Sequence, residues 1–420
     1  MRLKKICLRY YPPGYFVFRA NVSELTRNLI STEELLTSEI YSELQSALYK
    51  LQRKLHEPIK KKFYLYRTLQ THVLPLTNVS FDRTGEKCLT GSYDRTCRLL
   101  NTKSGTEEQV LRGHDNVVFS VNFNQPIWYT SISLPSFIIM YNEIYKIFSS
   151  DRVVTGSFDK TAKVWNSSNG MCLNTFLGHN AEVVAAEFNP ANFETIATAS
   201  MDSTVRVFHT ETGQEVSQLN HHAAEVIAAK FSRDGNLLLT GSFDKTAAIW
   251  DCRSREIVAQ LRGHSAELSN CVWNFPSNFI ATSSLDSTAR LWDLRHKDCV
   301  FEITGHRDEV LDLVFDYSGK RLATCSSDCT AKIWDVSGDI TLLSVMSGHS
   351  DEVSKVCFSP PGAMLLTASA DRTARLWLTE TGDCSQVLSG HDAEVFSCAF
   401  SYTGDVIVTA SKDNTCKIWR

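Results

Sequence analysis

Histidine, serine and aspartate recur along this chain in one fixed frame. Ser92-Tyr93-Asp94-Arg95-Thr96 shows it, and the frame returns at Asp159, Asp202, Asp244, Asp286, Asp328, Asp371 and Asp413. A histidine lies 22 or 23 residues upstream of each Asp in all but one copy: His72, His114, His179, His222, His264, His306, His349 and His391. Ser, His and Asp are the members of a hydrolytic triad, in which the carboxylate orients an imidazole that takes the hydroxyl proton. Eight copies argue against that chemistry, because an active site needs one nucleophile in one pocket beside its oxyanion donors. A structural use fits better: a buried polar chain with every member satisfied rigidifies its surroundings. No glycine-rich phosphate loop is evident. The 13 cysteines contain no C-x-x-C pair, and Cys325 and Cys329 have no histidine placed for zinc. Catalytic, cofactor-binding and metal-ligating residues are therefore expected to be none, and the thiols reduced.

The elements that position these residues follow from the spacing. From Asp159 onward the Asp-to-Asp interval is 42 or 43 residues, and a fixed period in this range marks a solenoid or propeller. Six residues after each Asp stands Trp165, Phe208, Trp250, Trp292, Trp334, Trp377 or Trp419, with Leu100 in the first copy. In one copy, four apolar runs begin near Val353, Leu365, Thr373 and Val387, separated by Gly, Pro, Asp and Ser. Each run reads as a short strand. No block has a helical period, which excludes alternating strand and helix units. Four antiparallel strands bury both faces only by stacking on neighbouring blocks.

Gly348-His349 and Trp334-Asp335 resemble the signatures of the WD-repeat family, and the resemblance runs over residues 63–420. It implies an all-β, eight-bladed propeller with one blade per repeat. It also implies a structural network within each blade, here His349, Ser369, Asp371 and Trp377. Blades 1 and 3, with Leu100 and Phe208, lack the indole donor and are expected to be looser. Phe63–Leu69 precedes His72 as Cys384–Leu388 precedes His391, so it reads as a fourth strand without a blade of its own. Pairing it with the strand that ends at Trp419 closes the ring and leaves no open edge.

Residues 1–62 read as a small basic domain. Tyr10-Tyr11-Pro12-Pro13-Gly14 marks a hairpin turn. Ser31 and Glu34 form a capping box ahead of a helix over roughly 32–56. Leu36, Ile40, Leu44, Leu48, Leu51 and Leu55 make one apolar stripe on it, for the propeller, the hairpin or a partner helix. This part carries net charge +6 and residues 63–420 carry −10, which disfavours nucleic-acid binding by the propeller. The second block has an irregular insertion at about 126–150, expected in the loop between its first two strands. Pro135, Asn142, Glu143 and Lys146 break its apolar run, so it is no membrane span. It reads either as a functional hydrophobic loop or as a gene-model error.

Without catalysis, function must reside on surfaces. Three residues after each His stand Glu182, Glu225, Glu267, Glu309, Glu352 and Glu394, with Pro75 and Val117 in the first two copies. Just before each Asp stand Tyr93, Phe158, Met201, Phe243 and Leu285, then Ser327, Ala370 and Lys412. An acidic crown beside an apolar sector is the expected partner surface, suited to a basic partner. Both ends of the chain resemble the dynein assembly factor family with WD repeats (outer row dynein assembly proteins). The matching stretches include Arg9–Gly14, Phe63–Asn78, Gly91–Cys97 and Lys412–Arg420. That resemblance implies a monomeric, non-enzymatic cargo adaptor. It would link preassembled outer dynein arms to the intraflagellar transport B complex. It implies location in the cytoplasm and the cilium or flagellum, including the axoneme and basal body region, and no membrane or nucleic-acid partner. The alternative is a substrate receptor of a cullin-type ubiquitin ligase, from the Trp-Asp-x-Arg boxes at Trp250–Arg253 and Trp292–Arg295.

Overall fold

The computed structural model describes residues 62–124 and 151–420. Among them are 32 strands and no helix. They form eight sheets of four antiparallel strands. Seven blades are continuous in sequence; blade 7, for example, is Val353–Phe358, Met364–Ser369, Ala374–Leu378 and Cys384–Leu388. The second strand of each blade is its most buried, as in β27 (Met364–Ser369), where all six residues are buried. Outer strands such as β29 (Cys384–Leu388) are mostly exposed.

The core lies between blades rather than within them. Cys325 and Ile333 of blade 6 pack with Val353, Phe358 and Trp377 of blade 7. Burying one such side chain stabilises by roughly 1.5–3 kcal/mol relative to exposure, so each blade depends on its neighbours. The last seam has the same character, with Leu76 and Cys88 of blade 1 against Val408, Cys416 and Ile418 of blade 8.

Blade 8 is built from both ends of the described chain. β1 (Leu65–Leu69) pairs with β32 (Cys416–Trp419), opposing Leu65 to Trp419 and Leu69 to Cys416 across one bulge. Tyr64 N–H donates to Arg420 O at 2.7 Å, and Arg420 N–H returns the bond to Tyr64 O at 2.9 Å. Phe63 is 2% exposed and joins the cluster between blades 7 and 8. The expected ring closure is thus present, and it converts two open edges into one ladder.

The expected hairpin, helix and Leu36–Leu55 stripe lie outside the described residues, as does the insertion at about 126–150. Its flanks are described: β6 (Val118–Phe123) pairs directly with β7 (Arg152–Ser157), opposing Phe123 to Val153. The insertion therefore joins the first and second strands of blade 2.

Candidate functional site

Each blade holds one polar chain, and its hub differs from the expected one. In blade 7, His349 Nδ1 lies 2.7 Å from Asp371 Oδ2, and His349 Nε2 lies 2.7 Å from Thr367 Oγ1. Trp377 Nε1 donates to the same Thr367 Oγ1 at 2.9 Å. The expected Ser369 is not in this chain. Trp377 opposes Leu365, so Thr367 is two residues along the neighbouring strand and Ser369 is four. Four residues of strand span roughly 13 Å, beyond the reach of an indole. Ser369 instead donates to Asp351 O at 3.1 Å and accepts the Asp371 N–H at 3.1 Å, fixing the turn that aims the carboxylate.

The pattern repeats around the ring. The hub threonines are Thr90, Thr155, Thr198, Thr240, Thr282, Thr324, Thr367 and Thr409, each 0% exposed. Six blades supply an indole to the hub. Blades 1 and 3 bury Leu100 and Phe208 there, and their threonines keep the histidine contact. After each Asp comes a residue with φ between 65° and 70°, such as Arg372 and Asn414. The left-handed turn is strained for these side chains. It is held because Asp371 Oδ1 accepts both the Thr373 N–H at 2.9 Å and the Thr373 hydroxyl at 2.6 Å.

The histidine links of this chain reproduce those of a triad, from carboxylate to Nδ1 and from Nε2 to hydroxyl, yet no substrate can reach the hydroxyl. Burial holds the His179, His222, His264, His306, His349 and His391 imidazoles below the ordinary range, outweighing the upward pull of their aspartates. Burial pushes the Asp202, Asp286 and Asp328 carboxyls up, but hydrogen bonds from Thr, backbone N–H and His outweigh it and hold them at about 2. The pairs are therefore neutral imidazole and carboxylate at neutral pH. Among the described residues no group of three or more His, Cys, Asp or Glu could hold a metal ion, and no helix is long and apolar enough to cross a membrane.

The two rim positions of every blade meet. Met201, Phe243, Leu285, Ser327, Ala370 and Lys412 each donate a backbone N–H to the carbonyl of Glu182, Glu225, Glu267, Glu309, Glu352 and Glu394 in turn, at 2.9–3.0 Å. Tyr93 bonds Pro75 and Phe158 bonds Val117 in the same way. All these pairs sit beside the His and Asp turns, so they share one face of the ring. Glu309 and Glu352 are exposed, and Glu182, Glu225, Glu267 and Glu394 are half-buried. Glu394 is neutralised by Lys412 of its own blade at 2.7 Å. On the apolar side, Tyr93 is exposed and Phe158, Met201, Phe243 and Leu285 are half-buried. Phe119 joins them: it is 39% exposed and stacks on Phe158 with centroids 5.4 Å apart. The sequence carried a signal for it, since Val118 and Ser120 take the inward phase of β6 and leave a phenylalanine on the open side.

A family model described as IFT122 first beta-propeller matches residues 148–377, and the WD domain, G-beta repeat model matches residues 63–101 and 382–420. The chain belongs to the IFT122 first beta-propeller family. Among curated relatives, this WD-repeat propeller is similar to "Dynein assembly factor with WD repeat domains 1" of Danio rerio, at 43% identity over 145 residues. The protein of the same name from Homo sapiens is 41% identical over 145 residues. Each match covers 30% of this chain and 35% of the relative, so the matched stretch spans about a third of those proteins. The crystal structure of the computationally designed Ika8 protein aligns with a TM-score of 0.70 at 23% identity, over 84% of this chain and 98% of that chain. That likeness is one of fold.

Proposed function

We propose that this propeller is a non-enzymatic adaptor in the assembly and ciliary transport of axonemal outer dynein arms. On this reading it links preassembled arms to the intraflagellar transport B complex and works in the cytoplasm and the cilium, including the axoneme and basal body region. The observation that carries the dynein part is the similarity to relatives named dynein assembly factors. The adaptor part draws support from the ring itself, whose buried threonines offer no nucleophile and whose rim offers paired docking positions.

The rim face divides by chemistry. Blades 1 to 5 present Tyr93, Phe158, Met201, Phe243 and Leu285, with Phe119 beside them. Blades 6 and 7 present Glu309 and Glu352 beside the small Ser327 and Ala370. A partner with an apolar anchor and a basic flank fits this arrangement, the anchor desolvating over blades 1 to 3 and the flank lying over blades 6 and 7. The test is reversal of the crown glutamates to lysine, with Glu394 as an internal control because Lys412 already neutralises it. Capture of outer arm dynein chains and transport subunits from ciliated cells should fall for the Glu309→Lys and Glu352→Lys pair and change least for Glu394→Lys. Unchanged capture after all six reversals removes the crown from the docking site. Capture of cullin-ligase subunits without dynein favours the receptor alternative.

A further inference from the structure

The face opposite the crown carries a second feature, visible by comparing seams between blades. Strand register sets the two faces apart. Val183 opposes Ser200 at the crown end of blade 3, and Phe188 opposes Ile196 toward the other end. At that far end, three of the eight seams hold an arginine of the protein itself. Between blades 6 and 7, Arg321 lies 5.6 Å over the Phe358 ring and bonds Asp316 at 3.0 Å, Gly362 O at 2.7 Å and Thr379 Oγ1 at 3.2 Å. Between blades 4 and 5, Arg233 lies 4.0 Å over Phe275. Between blades 2 and 3, Arg152 reaches Glu211 at 3.1 Å.

Between blades 3 and 4 the plug is missing, and a cleft of about 270 Å³ is open. Thr195 stands where Arg321 stands: each accepts, through its carbonyl, the N–H of the residue that follows the blade's first strand. That residue is Asn189 here and Asp316 there. The other partners of the guanidinium are altered as well. Asn189 Nδ2 already occupies the Gly235 carbonyl at 3.1 Å, and Cys252 replaces Thr379. A cation buried here would lack its carboxylate and its acceptors, which is costly. One wall of the cleft is apolar, made of Val207, Leu219, Phe231 and Trp250, and Thr195 and Ser217 add hydroxyls to the lining.

The mouth is different. Arg253 and Arg255 are exposed and line it, with no ion pair among the described residues. The two acids beside them are engaged by their own turns. Asp234 takes Ser232 Oγ at 2.6 Å and Asn236 Nδ2 at 2.6 Å, and Asp251 takes the Arg253 N–H at 2.7 Å.

We propose that the cleft between blades 3 and 4 is a peptide-docking site for a partner segment that inserts one uncharged apolar side chain and places carboxylates against Arg253 and Arg255. It lies on the face opposite the crown, selects the opposite charge, and does not depend on the crown being a site.

Two variants of the full chain test it. Asn189→Asp with Thr195→Arg rebuilds the plug seen between blades 6 and 7. Arg253→Glu with Arg255→Glu reverses the mouth without touching the core. A random peptide library displayed on phage is selected on the unaltered protein and counter-selected on the plugged variant. The expected clones carry an apolar residue flanked by Asp or Glu. A labelled peptide of the enriched sequence should lose about tenfold or more in affinity by fluorescence anisotropy with either variant. Melting curves confirm that the plugged protein folds, and the exposed mouth variant keeps the test decisive if it does not. The proposal is overturned if no clone distinguishes the unaltered protein from the variants, or if the enriched clones are basic or lack an apolar anchor.

Discussion

Blades 7 and 8 carry the same side-chain network on different chain paths. His349, Thr367, Trp377 and Asp371 in blade 7 correspond to His391, Thr409, Trp419 and Asp413 in blade 8, with imidazole-to-hydroxyl distances of 2.7 and 2.8 Å. Blade 7 is continuous, whereas blade 8 takes its outer strand from Leu65–Leu69. The local network is therefore indifferent to connectivity. It needs strand register, which hydrogen bonds between strands supply whether or not the strands are neighbours in sequence. Closure has a different role, since it gives the first and last seams the same burial as the others.

The sharpest way to separate the two contributions is to remove the closing strand. Deletion of residues 63–70 strips the β1 ladder and Phe63 from blade 8 and removes the bonds between Phe63 and Gln386 of blade 7, but leaves the His349, Thr367, Trp377 and Asp371 network in place. Loss of cooperative melting, with aggregation, is the expected outcome; an unaltered cooperative melt would show that closure is dispensable. Next in size are the hubs. Thr367→Ala orphans the buried His349 Nε2 and Trp377 Nε1 together. Each buried unsatisfied group costs roughly 1–3 kcal/mol, so a loss of about 2–6 kcal/mol in denaturant unfolding is expected. Thr409→Ala should match it if connectivity is irrelevant to the network, and a clear difference between the pair would break the comparison.

Blade 3 sharpens the contrast further. Phe208 supplies no donor, and Thr198 receives only His179 among these partners, at 2.8 Å. Thr198→Ala therefore orphans one group, and about half the blade 7 cost, roughly 1–3 kcal/mol, is expected by the same measurement. The smallest effect is with pH and should be shared by blades 3, 7 and 8. The His179, His349 and His391 imidazoles are held below their ordinary value by burial, so the folded state binds fewer protons than the unfolded chain. That stability is fully present above the ordinary histidine value of about 6.5 and is lost as pH falls below it. The depressed Asp202, at about 2, acts in the same direction, with loss beginning near the ordinary aspartate value of about 3.9. Melting temperature should decline from pH 7 to pH 5 and fall faster below pH 4. A flat profile over that range would contradict the assigned protonation states.

The hub shows where reading the sequence stops short. Every block contains Thr, then one residue, then Ser, as in Thr367-Ala368-Ser369, so both hydroxyls repeat equally well. Period alone cannot rank them. The pairing of Trp377 with Leu365 does so, by placing Thr367 within reach of the indole and Ser369 beyond it. The crown glutamates and the residues before each Asp were legible as rings because each ring occupies one fixed position in a repeat. The bond from Phe243 N–H to Glu225 O, which joins the rings on one face, needed the folded turn. The blade 3 and 4 cleft was not legible, since Thr195 and Asn189 are unremarkable residues until they are set against Arg321 and Asp316 in another blade.

The sequence by itself determined the number of blades, the strands of each, the polar chain within them and the strand left over for closure. Each of these is a periodic property, and a repeat writes its period directly into the order of residues. Tertiary structure alone decided which hydroxyl forms the hub, which rim residues share a face and that a cleft opens between blades 3 and 4. Those depend on register and on contacts between residues roughly 40 positions apart, where a side chain of one blade fills, or fails to fill, the space beside the next.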